Sequence, residues 1–425
     1  MKAALVDPSL FTWPYERDLM DGLRTAGVEV RLFGSAAGVG TDLGERAGIV
    51  GHFYPVLARP PLSNLSAGLR RAAKGLFPAP GLARLSRDLA AWRPDAIHFQ
   101  WVPLPALDRL FLPALRRVAP LVLTVHDSMP FNGNPGARLQ RWGARAVLRD
   151  FDALVVHTAQ ARRRLVEEGV PAERVTIVPH GLLSDGGDAM TDLPPAEAAA
   201  EVTFLMFGKI KPYKGVDSLI AALARVPRDL DQAWRVQVVG QPYMDMAPLR
   251  DAAAGLGLAA RVEFDLRPVP EAELATLFGR ATAVVMPYRE IDASGVLAMA
   301  IRAGRIVIAS RIGNFAELLD DGRTALLVPP DDPAALGDAM ARVLTEPALR
   351  ARLAAGVRDL RDRMPTWFSI GAETAAILFS LVESCKLNRV NPREYFKRIV
   401  ADRHAGRSPQ TPSEFKSAND VAIVA

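Results

Sequence analysis

The segment VTFLMFGKIKPYKGVDSLIAAL, residues 202–223, reads as a strand, a lysine-bearing turn and a helix in direct succession. Its first part is a continuous apolar, β-rich run rather than an alternating one, which suits a strand buried on both faces of a parallel sheet. The turn places Lys209, Lys211 and Lys214 around the start of the following helix. A helix N-terminus offers unpaired amides and partial positive charge, so lysines gathered there outline an anion site. Exposed loop lysines with no ligand give the same pattern.

The unit repeats along the chain. KAALV, VEVRLF, AIHFQW, LVLTVH, ALVVHT and VTIVPH precede residue 184, and VTFLMFG, RVQVVG, RVEFD, AVVMPY, IVIAS and ALLVPP follow residue 200, with helical patterns between them. The Gly-, Pro- and acid-rich stretch between the two sets reads as a linker. Six strands on each side imply two doubly wound α/β domains, residues 1–183 and 201–365, joined by linker 184–200. Ligands of such sheets bind beyond the carboxyl ends of the strands, so a cleft between the domains is expected. A last helical pattern, 366–384, is read as crossing back to the first domain. The polar, basic stretch 385–425 is read as a flexible tail.

At 425 residues, 49% hydrophobic and 23% charged, the chain can fill two cores. Its single cysteine, Cys385, excludes an internal disulfide and a cysteine-based zinc site, and points to a reducing, cytoplasmic setting. The opening MKAALVDPSLF is interrupted by Asp7 and Pro8, too early for a signal-peptide core, and no apolar run is long enough to span a membrane. The formal net charge of +5 is concentrated between Arg59 and Arg93. There Leu62, Leu65, Leu69 and Leu76 fall near one helical face with Arg70, Arg71 and Lys74 beside it, the pattern of a helix on an anionic membrane surface and equally of a solvated basic face. Nucleic acid is the weaker reading, because no aromatics interleave with these charges.

The first strand-to-helix turn, DPSLFTWPYERD, has no glycine, so the dinucleotide fingerprint is absent, and GVGTDLG at 38–44 has the wrong spacing. No phosphate-binding Walker loop, metal-ligand spacing among the six histidines or Ser-His-Asp order is present. YREIDASGVLAMAIRAGRIVIAS, residues 288–310, instead sets Glu290 and Asp292 before an apolar helix read as Val296–Ala303, with Ser294 and Gly295 at its cap. Both acids face the expected cleft; compensation of the helix dipole is the plainer reading of each.

The segments FGKIKPYKGVDSLIAAL, PYREIDASGVLAMAIRAGRIVIASRIGNFAELLDDGRTALLVPPDDPAAL and VPAERVTIVPHG resemble the signatures of the retaining glycosyltransferases of GT-B fold, family 4. The resemblance spans roughly residues 2–383 and is specific for fold, not substrate. It implies two Rossmann-like domains facing a cleft, a nucleotide diphosphate sugar as donor, no cofactor or metal, and a glycan or lipid-linked acceptor in surface polysaccharide or glycolipid synthesis. Its basic pair on the donor diphosphate matches Lys209 and Lys214, beside Gly208, Ser294, Gly295 and Val296. Lysine stands where the family usually has arginine, so a fork of donors gives way to a point charge. Of the family's two glutamates, the first falls at Ile291 with Glu290 one residue away, and the second, near the ribose, is Met299. The chain thus resembles a subset with SGVL in the loop and no second glutamate. The resemblance also brings His126 and Asp292 to the reacting sugar, Glu317 to the donor, and Tyr15 with Asp127 to the acceptor side. His126 as a buried histidine bonded to backbone, and Glu317 as a local cap or salt-bridge partner, are equally compatible with the sequence. A silent GT-B binding protein is the alternative function, and an epimerase or phosphorylase on the same fold the third.

Overall fold

The computed structural model describes residues 1–35, 49–53, 78–128, 143–184, 189–198, 200–227, 230 and 232–387. Its first parallel sheet comprises β1 (Lys2–Asp7), β2 (Glu29–Ser35), β3 (Ile49–Phe53), β4 (Ala96–Phe99), β5 (Leu121–Val125), β6 (Ala153–Val156) and β7 (Val175–Ile177), in the spatial order β3-β2-β1-β4-β5-β6-β7. The second comprises β8 (Glu201–Phe207), β9 (Ala233–Val239), β10 (Val262–Asp265), β11 (Ala283–Met286), β12 (Ile306–Ser310) and β13 (Leu326–Val328), ordered β10-β9-β8-β11-β12-β13. Strand order reverses at β1 in one sheet and at β8 in the other, because each pairs on both sides. Those two switch points open the crevices in which ligands of such sheets bind.

Continuous apolar runs produced the strands as expected: every residue of β4, β5, β6, β11 and β12 is buried, and helices cover both faces of each sheet. The first sheet has a seventh strand that the sequence reading missed. β3 (IVGHF) is a short edge strand with a central glycine, whose pattern alone is indistinguishable from a loop. Arg70, Arg71 and Lys74 lie outside the described residues, as does the chain beyond residue 387. Among the described residues no helix is long and apolar enough to cross a membrane.

The last helix, Trp367–Leu387, returns to the first domain and packs on the first helix, Trp13–Thr25. Ile370, Ala375 and Leu378 are buried there with Leu19 and Leu23. Two glycines set the approach: a Cβ on Gly22 would lie 2.0 Å from the Trp367 carbonyl oxygen, and one on Gly371 would lie 2.1 Å from the Gly22 carbonyl carbon. Trp367 Nε1 also donates to the Leu182 carbonyl (2.7 Å), fixing the helix start to the chain that leaves the first domain.

The backbones meet so closely that Gly371→Ala must push the helices apart, at a cost of about 1–3 kcal/mol. A Cβ on Gly255 would meet nothing within 4 Å. Thermal melts should show Gly371→Ala well below the parent and Gly255→Ala at or above it; equal melting temperatures would mean that the two-helix contact does not hold the fold.

Candidate active site

On the second-domain side, the chain leaves β8 through Gly208 at φ +108° and turns through Pro212–Lys214 into Gly215 at φ +70°. Both conformations are strained for any residue with a Cβ, and both positions are crowded. A Cβ on Gly208 would sit 2.7 Å from Lys214 Nζ, and one on Gly215 would sit 2.1 Å from the Pro287 carbonyl oxygen. The turn therefore folds Lys214 inward. Its Nζ donates to the Phe207 carbonyl (3.2 Å), lies 5.0 Å from the centre of the Tyr288 ring, and is 6% exposed. Burial, together with the charges of Lys209 and Lys211, brings its pKa down to about 7. Lys211 is buried as well; burial lowers its pKa and the Asp127 charge opposes that shift across the cleft. Lys209 Nζ reaches the other domain, 3.9 Å from the Phe11 ring centre.

β11 lies next to β8, so its following loop runs beside this turn and enters the helix Gly295–Arg302. Ser294 caps that helix, its hydroxyl accepting from the Leu297 N–H (3.3 Å). Met299 packs against the cluster that includes Leu182, Leu183 and Trp367, so the place where the resemblance expected a carboxylate is apolar. Ile291 and Asp292 line the cavity and Glu290 is half-buried; burial, with the charges of Asp127 and Glu290, holds the Tyr213 phenol in its neutral form.

Asp292 and Glu317 reach across to the first domain. Asp292 is buried and accepts from the Ser128 N–H and from Arg164 Nη1 (3.2 Å), which also donates to the Ser128 hydroxyl (2.7 Å). Glu317 accepts from the N–H groups of Ala159 (2.8 Å) and Gln160 (2.7 Å), the first residues of the helix Ala159–Glu167. The Gln160 side chain in turn accepts from the Gly313 N–H (3.1 Å). Glu317 is not among the residues lining the cavity. Its carboxylate is engaged at a helix N-terminus of the opposite domain, where negative charge is favoured. The sequence gave no sign of this, because its partner lies more than 150 residues away.

The first-domain wall comes from the carboxyl ends of β1, β4, β5 and β6. Asp7, buried at the end of β1, accepts from the N–H groups of Ser9 (2.9 Å) and Phe11 (2.6 Å) and so shapes the loop that carries Tyr15. Burial, and after it the Asp7 charge, raises the neighbouring Glu16 carboxyl well above the usual carboxylate range. Trp101 donates from Nε1 to Thr12 Oγ1 (3.2 Å) and stacks on His126, a wall residue the sequence reading passed over. Tyr15 packs against His126, His157, His180 and Trp367.

Hydrogen-bond accounting fixes the histidine tautomers. His157 Nδ1 donates to the Val178 carbonyl (2.9 Å), and burial lowers the ring's pKa to about 3, so its Nε2 accepts from His126 Nδ1 (3.1 Å). His126, also held neutral by burial, is left with an accepting Nε2, which faces the Gln100 carboxamide at 3.2 Å. The atom at that distance is Oε1, an acceptor, and the buried Gln100 Nε2 has no partner, so turning the amide over lets Nε2 donate to His126 Nε2. Both nitrogens of His126 are thus engaged within the wall. The ring lines the cavity in a part of the site where the resemblance pointed to chemistry.

The two walls enclose a cavity of about 470 Å³ whose lining includes Tyr15, His126, Asp127, Gly208, Lys209, Lys211, Lys214, Asp292, Ser294, Gly295, Val296 and Met299. The lysines and the capped helix start come from the second domain together with Phe207, Tyr213 and Tyr288, and Phe11, Tyr15, Trp101 and His126 come from the first. Among the described residues no group of three or more His, Cys, Asp and Glu side chains is arranged to hold a metal.

Family models match both halves of the chain: Glycosyl transferase 4-like domain over residues 12–181 and Glycosyl transferases group 1 over residues 201–346. A D-inositol 3-phosphate glycosyltransferase of Geodermatophilus obscurus is 30% identical over 333 residues, 70% of this chain and 73% of that protein. One from Frankia alni is 34% identical over 285 residues, 62% and 68% of the two chains. Among solved structures, Anabaena Alr3699/HepE in complex with UDP-glucose aligns with a TM-score of 0.68 at 17% identity, covering 89% of this chain and all of that one. Sucrose-phosphate synthase from Thermosynechococcus elongatus aligns at 0.69 and 20%, covering 90% and 99%. The shared architecture is the GT-B fold.

Removing the Glu317 carboxylate leaves two helix N–H groups without their acceptor. Glu317→Ala should cost about 0.5–2 kcal/mol and lower the melting temperature, with Glu317→Gln costing less. A melting temperature equal to the parent's would show that this contact does not hold the domains together.

Proposed function

Because the chain belongs to the group 1 glycosyltransferases and is a nucleotide-sugar-dependent enzyme, we propose that it transfers a hexose, with retention of anomeric configuration, from a nucleotide diphosphate sugar to a hydroxyl of a glycan or lipid-linked acceptor. The observation that carries this reading is the lysine turn facing the capped start of the helix Gly295–Arg302 inside an interdomain cavity.

In the proposed reaction the bond between the anomeric carbon and the diphosphate oxygen breaks, and a bond from the acceptor oxygen to that carbon forms on the same face. The acceptor's proton passes to the leaving diphosphate. Lys209 and Lys214, with the backbone of Gly208, Gly295 and Val296 and the Ser294 cap, stabilise the charge that develops on that leaving group. Glu290 reaches the donor sugar after a small movement of its loop. Tyr15 and Asp127 contact the acceptor, and His126 bounds the sugar. Asp292 acts by holding the donor loop against the Ser128–Arg164 side of the cleft. The nucleotide's ribose lies over Met299, where apolar contact replaces the carboxylate. The relatives named for D-inositol 3-phosphate support a polyhydroxylated acceptor. We assign the basic stretch containing Arg70, Arg71 and Lys74 to an anionic membrane surface, where a lipid-linked acceptor for surface polysaccharide or glycolipid would be met.

A charge-assisted contact to phosphate is worth about 1.5–3 kcal/mol, so Lys214→Ala should lower kcat/KM for the donor roughly 10- to 100-fold. Glu290→Gln should lower kcat more than it raises donor KM, and Asp292→Asn should have the smaller effect. NMR of the product should show the donor's anomeric configuration. Parent kinetics in Lys214→Ala would remove the diphosphate from this turn, and an inverted product would overturn the retaining mechanism.

A further inference from the structure

Arg289 sits between the two loops of the second-domain wall and binds both. Its guanidinium Nη1 donates to the Pro212 carbonyl (2.9 Å) and Asp217 Oδ1 (2.9 Å), and Nη2 donates to Asp217 Oδ2 (2.7 Å), Ser218 Oγ (3.0 Å) and Asp331 Oδ1 (2.7 Å). Nε donates to Asp331 Oδ1 as well (2.9 Å), and the backbone N–H of Arg289 donates to the Tyr213 carbonyl (2.7 Å). The Ser218 hydroxyl completes the knot on Asp331 Oδ1 (3.0 Å). Asp331 holds φ +55°, an uncommon backbone state for a residue other than glycine, at the place where it meets this guanidinium.

Two consequences follow for the lysines. Of the two residues before Lys214, Pro212 has its carbonyl held by the Arg289 guanidinium and Tyr213 has its carbonyl held by the Arg289 backbone N–H, so the side chain ties down the turn at Pro212, just ahead of Lys214. Three like charges on a short turn repel one another; a bridge from Ile210 to Pro242 holds the turn's first part, and the Arg289 guanidinium holds its second. The planar fork of arginine also takes both oxygens of Asp217 while reaching Asp331, which a single ammonium cannot reproduce. The paired carboxylates are depressed below their usual range by this guanidinium and stay ionised, committed to it.

We propose that Arg289 is a positioning residue for the donor diphosphate: through its guanidinium on Pro212, Asp217 and Asp331 it sets the turn that aims Lys214 and Lys211, and through its place in the chain it couples that turn to the Glu290–Asp292 loop. This rests on the reading of the lysine turn as the diphosphate site.

The test uses the full chain, inorganic pyrophosphate as the probe, calorimetry for affinity and thermal melts for folding. Arg289→Ala should weaken pyrophosphate binding roughly tenfold, and millimolar guanidinium should restore much of the loss, because the Arg289 side chain is 31% exposed and its place is open to a small cation. Guanidinium should not rescue Lys214→Ala. Arg289→Lys, the milder change and the fallback if the alanine variant does not fold, should melt near the parent yet bind more weakly. Absence of pyrophosphate binding by the parent, or parent affinity in Lys214→Ala, would defeat the diphosphate site itself. A weakened Lys214→Ala beside an unaffected Arg289→Lys, or a folded Arg289→Ala whose loss guanidinium does not repair, would overturn the role of Arg289 alone.

Discussion

A lysine ammonium held out of water without a carboxylate partner is the constraint around which the second domain is arranged. Lys214 makes no ion pair among the described residues; a backbone carbonyl and an aromatic face are what meet it, and two further lysines stand on the same turn. A fall in pKa from 10.5 to about 7 corresponds to roughly 5 kcal/mol against the charged form. The unfolded chain keeps the proton that the folded chain releases between those two pH values, so this group makes stability rise with pH across that window. The cost is sustained by packing that leaves the turn no other course: Gly208 and Gly215 at positive φ, the Pro287 carbonyl against Gly215, and the Arg289 contacts behind. In the proposed reaction, the diphosphate entering the cavity offsets that penalty.

The second dependence is between domains. Carboxylates of the second domain, on Asp292 and Glu317, meet backbone N–H groups and Arg164 of the first, while Arg17 of the first helix donates to Glu271 (2.5 Å) on the far side. The last helix closes the circuit by returning to the first domain through the Gly22–Gly371 contact. These contacts set the distance between the lysine turn and the aromatic wall, and so the size of the cavity in which transfer is proposed.

The parts legible in the sequence were those that depend on local pattern. Continuous apolar runs located twelve of the thirteen strands, the parallel arrangement followed from them, and the spacing of Lys209, Lys211 and Lys214 located the cationic turn. The Ser294 cap was legible for the same reason, and the helix begins within a residue of the expected place. What the sequence could not show were pairings between distant residues. Asp292 with Ser128 and Arg164, Glu317 with Ala159 and Gln160, and Arg289 with Asp217 and Asp331 join segments from 42 to more than 150 residues apart, and no periodicity encodes them. His126 was legible as a strand-end residue, but the engagement of both its nitrogens depends on Gln100 and His157, which only the folded sheet brings together.

The most direct test is an NMR titration of the chain with its lysine Cε positions labelled, with and without pyrophosphate. One lysine should titrate near pH 7 in the free protein, be absent from the Lys214→Met variant, and move toward the ordinary lysine value when pyrophosphate is added, because the bound anion favours the charged form. A spectrum in which every lysine titrates near 10.5, unchanged by pyrophosphate, would contradict a buried cation poised for the donor diphosphate.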